Sequence, residues 1–288
     1  MPDSVELLAP AKINLTLKVL GRRTDGFHDI ESLVCPISIF DRLALAHGTA
    51  EGGLKFECSD PSLPADDSNL VVRAARLFCN TFGFEPRLRI RLEKEIPHGA
   101  GLGGGSSDAA ATLLGLNLLF ETELTRTVLA DLAAELGSDV PLFVYQSAAM
   151  IRGRGEHVEP VPFPHSLPLL LIKPPFGVPT PWAYRQWRDS LPVPGVRYDR
   201  QELPWGSLEN ALERPVFEKY VLLATLKTWL LAQPEVRGAL MSGSGSTVFA
   251  VLTDKAAGYP LSDRVAAEFD PGMWQYLCET IANSAIAV

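Results

Sequence analysis

Alternation of apolar and polar residues marks out the first strands of the chain. In residues 9–20, APAKINLTLKVL, Ala11, Ile13, Leu15 and Leu17 alternate with Lys12, Asn14, Thr16 and Lys18. A strand sends alternate side chains to opposite faces, so Lys12 and Asn14 share a polar face about 7 Å apart. Taken alone, that face is a solvated one. Residues 21–28, GRRTDGFH, form a turn with Asp25-Gly26 at its tip, and a strand follows over 29–39. Two more strands flank a glycine-rich turn at 48–53 within 41–58. In 87–96, Leu88, Ile90 and Leu92 alternate with Arg89, Arg91 and Glu93, the pattern of a half-exposed strand in an antiparallel sheet.

The spacing changes to a helical period over 70–80, where Leu70, Ala74, Leu77 and Phe78 line one face behind the cap Ser68-Asn69. Helices are also predicted at 109–120 and at 126–136, the latter closed by Gly137. The second half reads as a hairpin at 148–161 turning at Gly153 and Gly155, then an apolar strand at 167–173. A helix follows with Thr180 as cap and Pro181 in its first position. Helices fill 216–233, a glycine turn at 241–247 leads into a strand at 248–252, and a last helix near 263–268 precedes a short C-terminal strand. The fold class is therefore α/β. The shift to a proline-rich composition sets two domains, 1–158 and 159–288.

One stretch carries more glycine than chain geometry requires. Residues 96–111 read IPHGAGLGGGSSDAAA, with Gly99, Gly101, Gly103, Gly104 and Gly105 inside seven positions, directly before an apolar helix. Backbone N–H groups of such a loop converge on anions, and the helix start adds unpaired donors and the positive end of a dipole. A loop merely capped by Ser106, Ser107 or Asp108 is the plainer alternative. No lysine follows Gly105, which excludes a Walker A loop. Gly99, Gly101 and Gly104 satisfy G-x-G-x-x-G, but the strand before them is half-exposed and the next segment is helical, so the dinucleotide βαβ context is missing.

Composition narrows the partners. The 288 residues carry a net charge of −8, which argues against general binding to nucleic acid or anionic membranes. Four scattered cysteines without C-x-x-C and five histidines without H-E-x-x-H offer no zinc pattern, and free thiols in a reducing cytoplasm are expected. The N-terminus lacks a signal-like apolar run, and no run reaches the length of a membrane span. No G-x-S-x-G elbow occurs.

The glycine stretch, P-H-G-A-G-L-G-G-G-S-S-D-A-A, resembles the second motif of the GHMP kinases. P-A-K-I-N-L at 10–15 resembles their first motif, and M-S-G-S-G-S-T at 241–247 their third, in family order along nearly the whole chain. The resemblance implies a two-lobed fold, with an N-terminal lobe like ribosomal protein S5 domain two, a ferredoxin-like C-terminal lobe, and an active site between them. ATP is implied as co-substrate, with magnesium, held by residues 97–107: Pro97, His98, Gly99, Ala100, Gly101, Leu102, Gly103, Gly104, Gly105, Ser106 and Ser107. The family also places Asn69 and Lys94 near the adenosine, although Asn69 alone reads equally well as an N-cap. No protein ligand for magnesium is assigned.

Further matches point within the family. D-G-F-H at 25–28 resembles a segment that supplies an aromatic ring and a histidine for a cytosine base, here Phe27 and His28. Phe27 stands where a tyrosine is also found, so a hydroxyl is lost. P-T-x-x-x-Y, with Thr180 and Tyr184, resembles the segment whose aromatic faces the cytidine. In G-S-D-V-P-L-F, Asp139 fits a helix cap and a proton acceptor equally by residue type; the resemblance makes it the base, with Lys12 as its catalytic partner and Asn14 on the substrate. L-E-N-A-L at 208–212 keeps Asn210 but has Ala211 where the family usually has aspartate. The implied reaction is transfer of the ATP γ-phosphoryl to the 2-hydroxyl of a cytidine-diphosphate-linked methylerythritol, a step toward isoprenoid precursors by the non-mevalonate route. The expected enzyme is a cytoplasmic transferase, monomeric or weakly dimeric, with small-molecule partners and neither nucleic acid nor membrane. A GHMP kinase for another alcohol would lack D-G-F-H and Tyr184; a non-catalytic RNA-binding S5-like protein would be more basic and would not need Lys12 with Asp139.

Overall fold

The computed structural model describes residues 2–49 and 52–281. Its first half runs β1 (Ser4–Asn14), β2 (Thr16–Arg22), β3 (His28–His47), β4 (Lys55–Cys58), α1 (Leu70–Phe82), β5 (Leu88–Glu93), α2 (Gly104–Leu119), α3 (Arg126–Ala134), α4 (Val140–Tyr145), β6 (Ala149–Gly153) and β7 (His157–Pro160). Its second half runs β8 (Pro168–Lys173), α5 (Thr180–Gln186), β9 (Gln201–Leu203), β10 (Gly206–Asn210), α6 (Glu213–Lys219), α7 (Val221–Leu231), β11 (Val236–Met241), β12 (Val248–Leu252), α8 (Gly258–Glu268) and β13 (Trp274–Glu279).

The strands form a nine-stranded and a four-stranded sheet. Strand β3 is the spine of the first. Its N-terminal half pairs with β2 and β6, its C-terminal half with β1 and β5. Being paired along its length, β3 continues through the point where the sequence suggested a break after residue 39. The single strand expected at 9–20 is instead two, β1 and β2, interrupted at Leu15. The turn expected at 48–53 lies partly outside the described residues. Strand β10 adds to the edge of β2 in parallel, so this sheet crosses the domain boundary drawn from composition. Proline content marks a loop; it does not report pairing.

The second sheet has the order β11-β12-β8-β13, all neighbours antiparallel. With helices between β8 and β11 and between β12 and β13, this is the split βαβ of a ferredoxin-like fold. The two sheets share a core. Ala11, Ile13 and Leu15 of the first cluster with Leu169, Leu171, Phe249 and Val251 of the second. That packing fixes the register of β1 by its apolar set. Lys12 and Asn14 must then point the other way, yet they do not reach solvent: both are buried. The expected solvated face is an internal polar wall.

Candidate active site

The wall belongs to a cavity of about 840 Å³ bordered by β1, the glycine stretch, the start of α4, the tip of the β6–β7 hairpin, α5 and the turn after β11. The Lys12 backbone N–H donates to Leu102 O at 2.9 Å, joining β1 to the glycine loop. Lys12 Nζ donates to Asn14 Oδ1 at 2.7 Å, and Asn14 Nδ2 to Ser32 Oγ at 2.8 Å. Ser32 donates in turn to Thr16 O. This chain of bonds orients the Asn14 amide and leaves the ammonium facing the cavity. Burial pulls the Lys12 pKa down from 10.5, and the charge of Asp139 opposes that pull.

Asp139 sits at the N-cap position of α4 but makes no side-chain cap bond. Among the described residues its carboxylate has no hydrogen-bond or ion-pair partner. The cap alternative therefore has position but not chemistry. The backbone of Gly155 closes on it: a Cβ there would lie 3.4 Å from Asp139 Oδ1.

The glycine loop rests on both lobes. Gly103, with φ of 75°, is the N-cap of α2, which begins at Gly104 rather than at 109 as the periodicity suggested. The glycines that looked like loop supply its first turn. A Cβ at Gly103 would meet the Phe143 ring at 2.7 Å and Lys12 Cγ at 3.1 Å, so only glycine lets these pack together. Carbonyls of the loop are occupied: Leu102 O by Lys12, Ala100 O by Thr247 N at 3.2 Å and Gly101 O by Ser242 Oγ at 2.9 Å. Among the described residues, no backbone N–H from Gly101 to Ser106 donates to a protein acceptor. These bare donors at the head of a helix of 16 residues make an anion cradle.

Pro97, His98, Gly99, Ala100, Gly101, Gly103, Gly104, Gly105 and Ser106 border the cavity, as do Asn69 and Lys94. Leu102 and Ser107 do not. Leu102 is a core residue that contributes only its carbonyl, and Ser107 is turned inward, its hydroxyl buried without a partner. Asn69 is the N-cap of α1, accepting from Val71 N at 2.9 Å, and its amide donates to Pro64 O. Lys94 bonds both Asp41 and Asp108, the latter at 2.7 Å. Burial opposes the charge on Lys94, but the two carboxylates outweigh it and raise its pKa. Burial pushes Asp108 up to about 8 against the pull of Lys94. Sequence reading missed Asp41 and Asp108 as the holders of Lys94, since partners far apart along the chain leave no local pattern.

At the opposite end, the His28 ring stacks on Tyr184 with centroids 5.4 Å apart and meets Trp187 edge-on at 6.2 Å. Burial, with Arg22 adding, lowers the His28 pKa, which keeps the imidazole neutral with one donor and one acceptor. The pair leaves no gap for a base between these two rings, so Tyr184 holds His28. Phe27 is 51% exposed and is the ring with open surface. Thr180 is the first residue of α5 rather than its cap; Pro179 takes that place, and the Thr180 and Ser244 hydroxyls lie 2.7 Å apart. Arg154, absent from the sequence reading, also borders this end.

Comparison with known proteins agrees with this geometry. The family model described as "GHMP kinases N terminal domain" matches residues 69–147, and "GHMP kinases C terminal" matches 201–271. A protein of Methylacidiphilum infernorum named 4-diphosphocytidyl-2-C-methyl-D-erythritol kinase is 41% identical over 287 residues, covering 96% of this chain and 97% of its own. The chain belongs to the GHMP kinase family. A protein of the same name from Symbiobacterium thermophilum is 41% identical, covering 91% of this GHMP kinase and 95% of its own length. The crystal structure of a 4-(cytidine 5'-diphospho)-2C-methyl-D-erythritol kinase superposes with a TM-score of 0.79 at 36% identity, covering 96% of this chain and 99% of that one. A mevalonate kinase from L. major, at 13% identity and a TM-score of 0.69, shares the fold.

Proposed function

We propose that this GHMP kinase transfers the γ-phosphoryl group of ATP to the 2-hydroxyl of 4-diphosphocytidyl-2-C-methyl-D-erythritol, in the non-mevalonate route to isoprenoid precursors. One observation carries the reading. A single cavity has bare loop N–H groups at one end, the Phe27, His28 and Tyr184 cluster at the other, and Lys12, Asn14 and Asp139 between them. Relatives named for that activity, aligned over nearly the whole chain, support it.

Phosphoryl transfer asks a protein for alignment, charge neutralisation and a proton acceptor. Loop N–H groups from Gly101 to Ser106 and the α2 dipole hold the phosphates. Asp139, with both oxygens free, accepts the proton from the substrate hydroxyl. Lys12 offsets charge at the transferring group and orients Asp139, while Asn14 positions the hydroxyl. Phe27 stacks on the cytosine, and neutral His28, backed by Tyr184, reads its edge. Thr180 borders the same end, and Asn69 and Lys94 border the nucleoside side of ATP.

Among the described residues no cluster of three acidic, histidine or cysteine ligands could cage a metal. Magnesium takes oxygen ligands and keeps much of its water, so it would arrive on the ATP phosphates. Asp108 borders the cavity and its Oδ1 is buried without a partner, so it is the carboxylate oxygen this helix end would offer the ion. Bound there, the ion would supply further charge neutralisation. No helix among the described residues is long and apolar enough to cross a membrane, and the net charge of −8 disfavours nucleic acid. A cytoplasmic enzyme, monomeric or weakly dimeric, completes the proposal.

ADP release measured against mevalonate, homoserine, galactose and the cytidylated methylerythritol tests it. Turnover is expected with the last alone; turnover with another alcohol, and none with the last, would refute the assignment.

A further inference from the structure

The cavity's cations are unequally committed. Lys12 is bonded to Asn14, and Lys94 is shared by Asp41 and Asp108. Arg22 and Arg185 border the opening, but both are exposed and no ion pair or side-chain hydrogen bond holds either among the described residues. Arg154 is different. It sits at the tip of the β6–β7 hairpin, with its guanidinium 4.9 Å from the centre of the Phe27 ring. Its backbone N–H donates to Glu156 Oε2 at 2.5 Å, and Nε lies 3.6 Å from Glu156 Oε1. Beyond that loose contact, the guanidinium makes no hydrogen bond among the described residues. Its next neighbour, Gly155, is the residue whose backbone closes on Asp139.

The hairpin tip therefore reaches both ends of the interval: Arg154 lies against the ring assigned to the base, and the next residue, Gly155, against the carboxylate assigned to the reacting hydroxyl. In the proposed substrate, a diphosphate joins those two parts and must cross the same interval. A guanidinium presents paired donors to phosphate oxygens and is always charged. Stacking on Phe27 limits the rotamers it would lose on binding. We infer that Arg154 binds the diphosphate of the nucleoside-diphosphate-linked substrate, adding a charge-based determinant to the aromatic recognition of its base.

This inference rests on the proposed substrate class, and the test separates the two. Wild type, Arg154→Ala and Arg154→Lys are assayed with the cytidylated methylerythritol, with cytidine and CDP as competitors. A lost charge-assisted hydrogen bond corresponds to roughly tenfold or more. In Arg154→Ala the KM for the cytidylated substrate and the inhibition constant of CDP should rise by about that factor. Inhibition by cytidine and the KM for ATP should stay at wild-type values. Arg154→Lys should recover part of the loss, because it keeps the charge but not the paired donors. Equal weakening of cytidine and CDP would overturn the inference and reduce Arg154 to a brace for Phe27; unchanged CDP inhibition would overturn it outright. Failure of wild type to use the cytidylated substrate would instead overturn the proposed function.

Discussion

Two glycine turns meet in this molecule, and they do different work. The stretch around Gly99–Gly105 and the turn between β11 and β12 are alike in composition: GAGLGGGSS against SGSGST. In the second turn half of the six backbone N–H groups are spoken for by protein, and among the described residues those of Gly243, Ser244 and Ser246 are not. Ser242 N donates to Thr247 O, Gly245 N to Ser242 O, and Thr247 N to Ala100 O. Asn210 Nδ2 donates to Met241 O and Gly243 O at 2.7 and 2.8 Å, and Glu213 Oε1 accepts from Met241 N at 2.9 Å. In the first stretch carbonyls are taken and the N–H groups from Gly101 to Ser106 are bare. Glycine content thus says little by itself. A turn whose donors and carbonyls bond partly to protein acts as a brace, while an unbroken run of free donors at a helix start is the one proposed to hold phosphate. The brace grips the binding loop: a Cβ on Gly101 would fall 2.3 Å from Ser242 O.

The comparison can be broken most sharply at Gly105. A Cβ there meets only Leu70 Cδ1 at 3.7 Å, otherwise open space. Gly105→Val should weaken ATP binding by about 10²–10³-fold in a titration, the cost of losing two charge-assisted hydrogen bonds. Fold stability should change by under ~1 kcal/mol, because valine has no worse a helix propensity than glycine. Unchanged ATP affinity would mean the bare donors are not phosphate ligands. Gly103→Val is a poorer probe, because its side chain would strike Phe143 and Lys12 and cost the fold as well.

Next in size is Asn210→Ala. It strips two carbonyls of the brace and the Leu212 N–H of their partner. Denaturant unfolding should show a loss of about 3 kcal/mol, since each buried unsatisfied group costs roughly 1–3 kcal/mol and solvent can reach some of them. ATP affinity should fall far less than in Gly105→Val. The reverse ranking would make the second turn the binding element.

Lys12 gives the smallest effect, read as stability against pH. Its folded pKa lies below 10.5, so between that lowered value and 10.5 the unfolded chain binds more protons than the folded one. Stability from this group must then rise with pH through that window, by at most about 1.4 kcal/mol per pH unit, and be independent of pH below it. Lys12→Met should remove that slope while abolishing turnover. A slope that persists would show that burial of the Lys12 ammonium is not its source.

Much of this was legible from periodicity and motif. Alternation located the strands carrying Lys12 and Leu88, and the helical period located α1. Other parts were not, for physical reasons. The polar face of β1 reads as solvated because a strand pattern records amphipathicity, not what lies opposite; here the cavity does. The start of α2 was missed because glycine has poor intrinsic helix propensity, whereas packing sets that helix. Lys94 could be placed near the nucleotide by resemblance, but its two carboxylate partners come from β3 and α2. Arg154 escaped because a lone arginine in a hairpin turn resembles any other solvated charge.

The account turns on Asp139 being a proton acceptor rather than a cap, and one variant separates these. Asp139→Asn keeps the size and the N-cap capacity of the side chain but cannot take the hydroxyl proton. Turnover should fall by roughly 10²–10⁴-fold, the range of a positioned general base. ATP affinity, measured by titration on the same preparation, should remain at the wild-type value. Turnover close to wild type would contradict the account and return Asp139 to the end of α4 as a structural residue.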